Sequence, residues 1–369
     1  MLDSRAGEEL DRESQAVIGV DIGGTHIKIA LVDPSQKRVL RRDRLKTSAD
    51  RGPDAILTVL TTALAELRLQ ARKNGFFVVA VGVGCAGLID LARGVVLTSP
   101  NLPGWVNIPL GQRLEQALGI PVFVENDVDS ICYGEYLFGA GRDLGDFIGI
   151  APGTGVGGCL IVNGKVWEGQ GYSAGEIGHT TIQPDGDRCL CGNHGCLETL
   201  ASASWLVRRA EERLSKGISS NLSQVPDRPG GLDAELIYRA AMHGDKMAQG
   251  LFHLVGRSLA IAIANVVNLL GIRSALIAGG MANGWDAFVG SLHAELERRL
   301  TMIPYTDVRV VKAQLGDDAG ALGSAYLACS REALKTGNWC PSGNSFSPPM
   351  ATATSSDESD GKEGRGNDK

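Results

Sequence analysis

The stretch that decides the fold is Val17-Ile18-Gly19-Val20-Asp21-Ile22-Gly23-Gly24-Thr25-His26-Ile27-Lys28-Ile29-Ala30-Leu31. An apolar run, Val17–Val20, leads into Asp21-Ile22-Gly23-Gly24-Thr25, and apolar residues then alternate at Ile27, Ile29 and Leu31. Two β-type runs around a Gly-Gly turn read as a hairpin. The pattern returns in the second half. Phe147–Ala151 reads as a strand, Gly153–Gly158 as a glycine turn and Cys159–Val162 as the partner strand.

Outward from these hairpins, strands and helices alternate. A third strand is expected at Val39–Leu45, a helix at Pro53–Asn74 with Gly75 past its end, and a buried strand at Phe76–Val83. A short helix at Pro109–Leu118 precedes a strand, Pro121–Val124, that runs into Glu125-Asn126-Asp127 and a helix to Phe138. In the second half, helices are expected at Trp205–Leu214, Asp233–His243, Lys246–Leu270, Asp286–Leu300 and Ala319–Cys329, with strands at Ser274–Ala278 and Val308–Val311. The repeated opening predicts two related α/β domains rather than one doubly wound sheet. We expect a leader at 1–15, a small domain at 16–125, a larger one at 126–318, a closing helix at 319–335 packed back on the first domain, and a disordered polar tail at 336–369.

The glycine turns carry the first chemistry. Gly153-Thr154-Gly155-Val156-Gly157-Gly158 satisfies G-x-G-x-x-G, but a dinucleotide site needs a helix directly after it, and the next residues are β-rich and end in Asn163-Gly164. A hairpin is the better reading. Gly164-Lys165 is followed by Val166, so there is no hydroxyl for a Walker A site. A glycine hairpin can still cradle phosphate, because consecutive backbone N–H groups form an anion nest. In the first turn, Asp21 adds a carboxylate for Mg²⁺ and Thr25 a hydroxyl for phosphate. Either turn alone is as readily an ordinary connector; two turns opening matched halves favour the nest.

Three of the eight cysteines lie in Cys189-Leu190-Cys191-Gly192-Asn193-His194-Gly195-Cys196, and His179 precedes them. Three thiolates and an imidazole form a closed tetrahedral set, that of a structural Zn²⁺. The alternatives are His194 as fourth ligand, or a cluster of reduced thiols. Cys85, Cys132, Cys159 and Cys329 read as small buried hydrophobes.

DIGGT at Asp21–Thr25, GTGVGG at Gly153–Gly158 and AGG at Ala278–Gly280 resemble the nucleotide-binding signatures of the actin and sugar-kinase superfamily. Glu-x-Gly-His at 176–179 and Cys-x-Cys-Gly-x-x-Gly-Cys-x-Glu at 189–198 resemble the ROK family (repressors, uncharacterised reading frames and sugar kinases), over about Val17–Tyr326. The resemblance implies an α/β fold of two ribonuclease-H-like, actin-like domains with ATP and Mg²⁺ in the cleft. Gly23, Gly24, Thr25, Gly153, Thr154, Gly155 and Gly157 would then lie at the phosphates, and Gly279 and Gly280 under the adenosine. It also implies a hexose held by Glu176, His179 and Glu198, with His179 serving zinc through its other ring nitrogen. Loops at Gly84–Gly87 and Ser99–Trp105 resemble sugar-contacting loops, with Gly87 and Asn101 as contacts and Trp105 as packing.

Asn126-Asp127 ends an apolar strand, where α/β folds place ligand groups. A sugar hydroxyl needs a carboxylate to take its proton, and the family's base stands in a similar Glu-Asn-Asp context. This assigns Asp127 as base and Asn126 as an orienting neighbour; an isolated Asn-Asp is otherwise a helix N-cap. Val128-Asp129 departs from many members, which bears on sugar fit. Glucose is the favoured hexose, with fructose, mannose, N-acetylglucosamine and N-acetylmannosamine as alternatives.

Composition limits the other classes. Glycine reaches 49 of 369 residues, with seventeen between Gly134 and Gly195, without a collagen period. The formal net charge of −6 and the lack of a basic block argue against nucleic acid or an anionic membrane surface. The acidic start is no signal peptide, and Leu259–Ile272 is too short for a bilayer, so a cytoplasmic protein is expected. About 15 residues before the first strand are fewer than a DNA-binding helix-turn-helix domain requires, which disfavours a repressor. The family resemblance implies a homo-oligomer, a dimer.

Overall fold

The computed structural model describes residues 14–224 and 231–336. Residues 1–13 of the leader expected at 1–15, and 337–369 of the tail expected at 336–369, lie outside the described residues. The first sheet is built from β1 (Ser14–Ile22), β2 (His26–Asp33), β3 (Arg38–Lys46), β4 (Phe76–Cys85) and β8 (Val122–Asn126). β1 starts at Ser14, so the last two residues of the expected leader are strand. β1 and β2 form the antiparallel hairpin, with Ile22 opposite Ile27 and Val17 opposite Val32. α1 (Gly52–Lys73) carries the chain across so that β4 runs parallel to β1. Its inward stripe, Ile56, Leu60, Leu64, Leu67 and Ala71, has helical spacing, and Gly75 ends the turn with φ 79°. Between β4 and β8, the strands β5 (Leu88–Asp90), β6 (Val95–Thr98) and β7 (Val106–Ile108) pair as a small antiparallel sheet, followed by α2 (Leu110–Leu118).

After α3 (Asp127–Phe138) the plan repeats. β9 (Phe147–Pro152) and β10 (Val156–Val162) form the second hairpin, β11 (Lys165–Val166) extends its edge, and β12 (Ser274–Ile277) and β13 (Arg309–Lys312) add in parallel. The strand orders, β3-β2-β1-β4-β8 and β11-β10-β9-β12-β13, are the same in form. Both put the first strand of the hairpin at the centre. This duplicated five-stranded plan is the two-lobed ribonuclease-H-like, actin-like architecture. The outer face of the second sheet is covered by α4 (Glu198–Ala201), α5 (Ala203–Ser215), α6 (Ala234–Met242), α7 (Lys246–Leu270) and α8 (Trp285–Arg299).

α7 has 25 residues and is long and apolar enough to cross a membrane by length and composition. The shorter stretch read from sequence understated it. Its apolar residues, from Met247 to Val267, are instead buried in the core between the sheet and α8.

A third core joins the lobes. α3 and α9 (Ala319–Thr336) lie between the two sheets, where Val17, Ala30 and Ala80 meet Tyr133, Ala325, Phe147 and Leu276. α9 packs on β1 and β4 with almost no side-chain layer. A Cβ on Gly19 would stand 1.8 Å from the Ala321 carbonyl oxygen, and one on Gly82 would stand 1.9 Å from that of Ser324. α3 and α9 touch in the same manner, with a Cβ on Gly323 falling 1.7 Å from the Ser130 carbonyl oxygen. Cys85, Cys132 and Cys159 are buried free thiols, whereas Cys329, also buried, is disulfide-bonded.

Candidate active site

The carboxyl ends of β1, β4 and β8 lie side by side, with Asp21 opposite Gly84 and Cys85 opposite Asn126. Such strand ends are where α/β sheets bind ligands. Asn126 caps α3: its Oδ1 accepts from the Val128 N–H at 2.8 Å and the Asp129 N–H at 3.3 Å. Its Nδ2 donates to the Gly87 carbonyl at 3.2 Å. Asn126 is therefore the N-cap, and Asp127, at the first helical position, shares the Val128 N–H, which its Oδ1 accepts at 3.0 Å. Burial, followed by repulsion from Asp21, pushes the Asp127 carboxyl up to about 6 against backbone N–H groups that pull it down. Asp21 is raised as well, by burial, with Lys28 opposing. Asp129 reaches about 7, chiefly through burial, although a hydrogen bond with Cys159 works the other way.

The first glycine turn is pinned from behind. Thr47 donates its hydroxyl to the Gly23 carbonyl at 2.6 Å, and its N–H to the Thr25 carbonyl at 3.0 Å. Thr25 itself is exposed. Asn101 lies on the turn, since a Cβ on Gly24 would come 3.1 Å from its carbonyl oxygen. Its loop is anchored by the buried side chains of Leu102 and Trp105. Gly87 has φ 122°, and a Cβ there would collide with the Thr98 carbonyl at 2.1 Å.

The second turn is closed by the Gly153 N–H donating to the Gly155 carbonyl at 2.8 Å, and it continues as β10 rather than as a helix. The dinucleotide reading is excluded on that ground. The start of α5 holds this turn: the Ala203 N–H donates to the Gly153 carbonyl and the Ser204 hydroxyl to the Thr154 carbonyl, both at 2.7 Å. Gly157 borders Val128, next to Asp127; a Cβ on it would sit 2.5 Å from a Val128 methyl. Gly279, at φ 71°, backs onto Pro152 at the end of β9, and Gly280 faces open space.

His179, Cys189, Cys191 and Cys196 bring one donor atom each within 4.8 Å of all the others. His179 Nδ1 is 3.6 Å from Cys189 Sγ, and the Cys191 and Cys196 sulfurs are 3.8 Å apart. Zn–S bonds of about 2.3 Å in a tetrahedron require ligand separations of about 3.5–3.8 Å, so the set fits Zn²⁺. Burial raises the Cys196 thiol to about 12, and a dication is what would make such a packed set thiolate. His194 turns away, with its Nδ1 3.3 Å from the Gly186 carbonyl. His179 is the imidazole in place. Its Nε2 lies 4.0 Å from Glu176 Oε2, and Glu176 is exposed.

Glu198 connects this cluster to the second turn. Its Oε2 accepts from the Val156 N–H at 2.9 Å, and its Oε1 is 3.8 Å from Cys189 Sγ.

Other polar groups carry no local sequence signal. Glu125, 2% exposed, is gripped through both oxygens by Arg331 of α9, and Arg331 Nη2 also reaches Glu168 Oε1 at 2.6 Å. Glu135 is fully buried and accepts from the N–H groups of Ala140, Gln314 and Leu315 at 2.7–2.9 Å. Their partners lie up to 206 residues away, so only the fold reveals them.

A family model described as "ROK family" matches residues 17–331, most of the chain. The chain belongs to the ROK family. Among ROK relatives, a glucokinase of Thermotoga maritima is 32% identical over 315 residues, covering 85% of this chain and 98% of that one. An N-acetylmannosamine kinase of Escherichia coli is 32% identical over 314 residues, 84% of this chain and 97% of that one. The crystal structure of a ROK family glucokinase from Streptomyces griseus, in complex with glucose and AMPPNP, superposes with a TM-score of 0.70. It is 34% identical, over 85% of this chain and 99% of that one.

Proposed function

We propose that this ROK protein transfers the terminal phosphoryl group of ATP to the 6-hydroxyl of a hexose, glucose, with Asp127 as general base. The carrying observation is the Asp127 carboxylate, raised to about 6 at the strand ends beside Asp21 and next to the second glycine turn through Val128. With that value it is about nine-tenths ionised at pH 7 and still basic enough to accept a proton. The sugar oxygen forms its bond to the γ-phosphorus as the bond to the leaving ADP breaks, and the hydroxyl proton passes to Asp127. Gly24 and Thr25 from the first lobe, and Thr154 and Gly155 from the second, supply backbone N–H groups to the phosphates. Gly23, Gly153 and Gly157 shape the two turns, the Gly23 and Gly153 N–H groups being held by the His26 and Gly155 carbonyls. Gly279 and Gly280 line the adenosine side. Asp21 would hold Mg²⁺, which neutralises phosphate charge when bound.

Glu176, His179 and Glu198 hold the sugar hydroxyls, assisted by Asn101, Asn126 and Gly87. His179, Cys189, Cys191 and Cys196 hold a structural Zn²⁺, which fixes the loop carrying two of those contacts. The named glucokinase relatives and the AMPPNP complex support the donor and the sugar class. The N-acetylmannosamine kinase, at the same 32% identity, makes that sugar the second reading. A non-catalytic sugar sensor is disfavoured, because Asp127 and Asp21 are both present. We further assign the protein to the cytoplasm, as a homodimer.

A coupled assay over glucose, mannose, fructose, N-acetylglucosamine and N-acetylmannosamine tests the reading. Glucose is expected to give the highest kcat/KM, and a clearly higher value for another sugar overturns the choice. Asp127→Ala is expected to lose at least 100-fold in turnover while remaining folded. Near-normal turnover overturns the base assignment.

A further inference from the structure

The residues assigned to nucleotide and sugar are acidic or uncharged apart from His179, yet a nucleoside triphosphate brings several negative charges. Lys28 meets that need. It stands directly opposite Asp21 in the β1–β2 ladder, a few residues beyond the Gly23–Gly24 turn. Its Nζ lies 3.6 Å from Asp21 Oδ2 and 2.9 Å from Asp317 Oδ1, and its side chain is 26% exposed.

Both of its anionic partners have another cation to turn to. Asp317 is also paired with Arg44, at 3.6 Å, and is 70% exposed, so it is not left buried and bare if Lys28 moves. Asp21 is the carboxylate assigned to the divalent ion. A cation on that carboxylate would repel the neighbouring ammonium, which then needs a new anion within the reach of a flexible four-carbon stem. The phosphates seated on the adjacent glycine turn are that anion.

We propose that Lys28 is a phosphate-binding residue, exchanging Asp21 for the β- and γ-phosphates of the donor. This rests on the kinase reading of the site. The competing role is a strap that ties β2 to the segment before α9, together with the pair between Arg42 and Asp318 at 2.8 Å.

Equilibrium titration of ATP, ADP and AMP, with Mg²⁺ and without sugar, separates the two roles in the wild type, Lys28→Met and Asp317→Asn. A phosphate contact predicts that Lys28→Met binds ATP and ADP about tenfold or more weakly, as for a lost hydrogen bond to a charged group, with AMP within about twofold. Asp317→Asn should bind ATP as tightly as the wild type, or more tightly, because it frees the lysine. Unchanged ATP binding in Lys28→Met, an equal loss for all three nucleotides, or the same ATP loss in Asp317→Asn each overturns the proposal in favour of the strap. A wild type that binds none of the nucleotides overturns the kinase reading itself, and this inference with it.

Discussion

Replacing Arg331 by Met should destabilise the protein more than any surface charge change. Glu125 is 2% exposed, and its two oxygens are met by the Arg331 Nε and, at 2.9 Å, by Nη2. Removing one partner of a buried pair costs about 3–5 kcal/mol, because the remaining charge stays buried and uncompensated. Arg331 is 28% exposed, so some water reaches the pair, and the lower end, about 3 kcal/mol, is the expectation. Glu168→Gln is the internal control. That carboxylate is 31% exposed, and its loss should cost no more than about 1 kcal/mol.

Urea unfolding followed by circular dichroism measures both variants. The pH dependence adds a second check. Burial already raises Glu125 above its ordinary value, with Arg331 opposing, and without Arg331 it rises further. An acid raised in the folded state favours folding below its unfolded value and loses that contribution as pH rises through its folded value. The Arg331→Met deficit should therefore be largest near neutrality and shrink as pH falls toward 4.5. A deficit under about 1 kcal/mol, or one equal to that of Glu168→Gln, refutes the buried-pair argument.

Because Asp127 titrates at about 6, kcat/KM should rise tenfold per pH unit below that value and level off above it; a flat profile from pH 5 to 8 contradicts its role. The same shift implies that Asp127→Asn stabilises the fold at pH 7, by at most about 3 kcal/mol at about 1.4 kcal/mol per unit, with the gain vanishing below pH 4. Metal analysis should find about one zinc per chain. Cys191→Ser or a strong chelator should then weaken sugar binding about tenfold or more while ATP binding changes less, and equal losses in both would show that the metal supports the fold rather than the sugar loop.

The hairpins and long helices were legible because their signals are local. Pro53 and Gly75 bracket α1 within a residue or two, and α7 runs over Lys246–Leu270 as its periodicity predicts. The small sheet of β5, β6 and β7 was not read, since its strands have only three or four residues and their pairing, not their composition, makes them strands. Around the site, spacing singled out the three cysteines and favoured His179 over His194, and the ring positions agree: His179 Nδ1 is beside Cys189 while His194 faces the Gly186 carbonyl. Asn126-Asp127 had two rival readings because sequence cannot say which side chain caps. The structure makes Asn126 the N-cap, with Asp127 sharing only the Val128 N–H. Glu125 stood in a quoted motif, yet its meaning lies in an arginine on α9, a non-local contact that no window of sequence contains.

The near-bare contact of α9 with β1 and β4 limits how the molecule can deform. Packed layers usually shear by small sliding of one element past another, their interdigitated side chains adjusting as they go. At Gly19 and Gly82 the helix carbonyls rest almost on the strand backbone, and at Gly323 on that of α3, so there is no compliant layer to absorb such a slide. The first sheet, α3 and α9 must therefore travel as one rigid block. Any approach of the second hairpin toward the first is then left to the second sheet's own contacts with α3 and α9, where side chains such as Cys132, Phe147 and Leu276 do interdigitate.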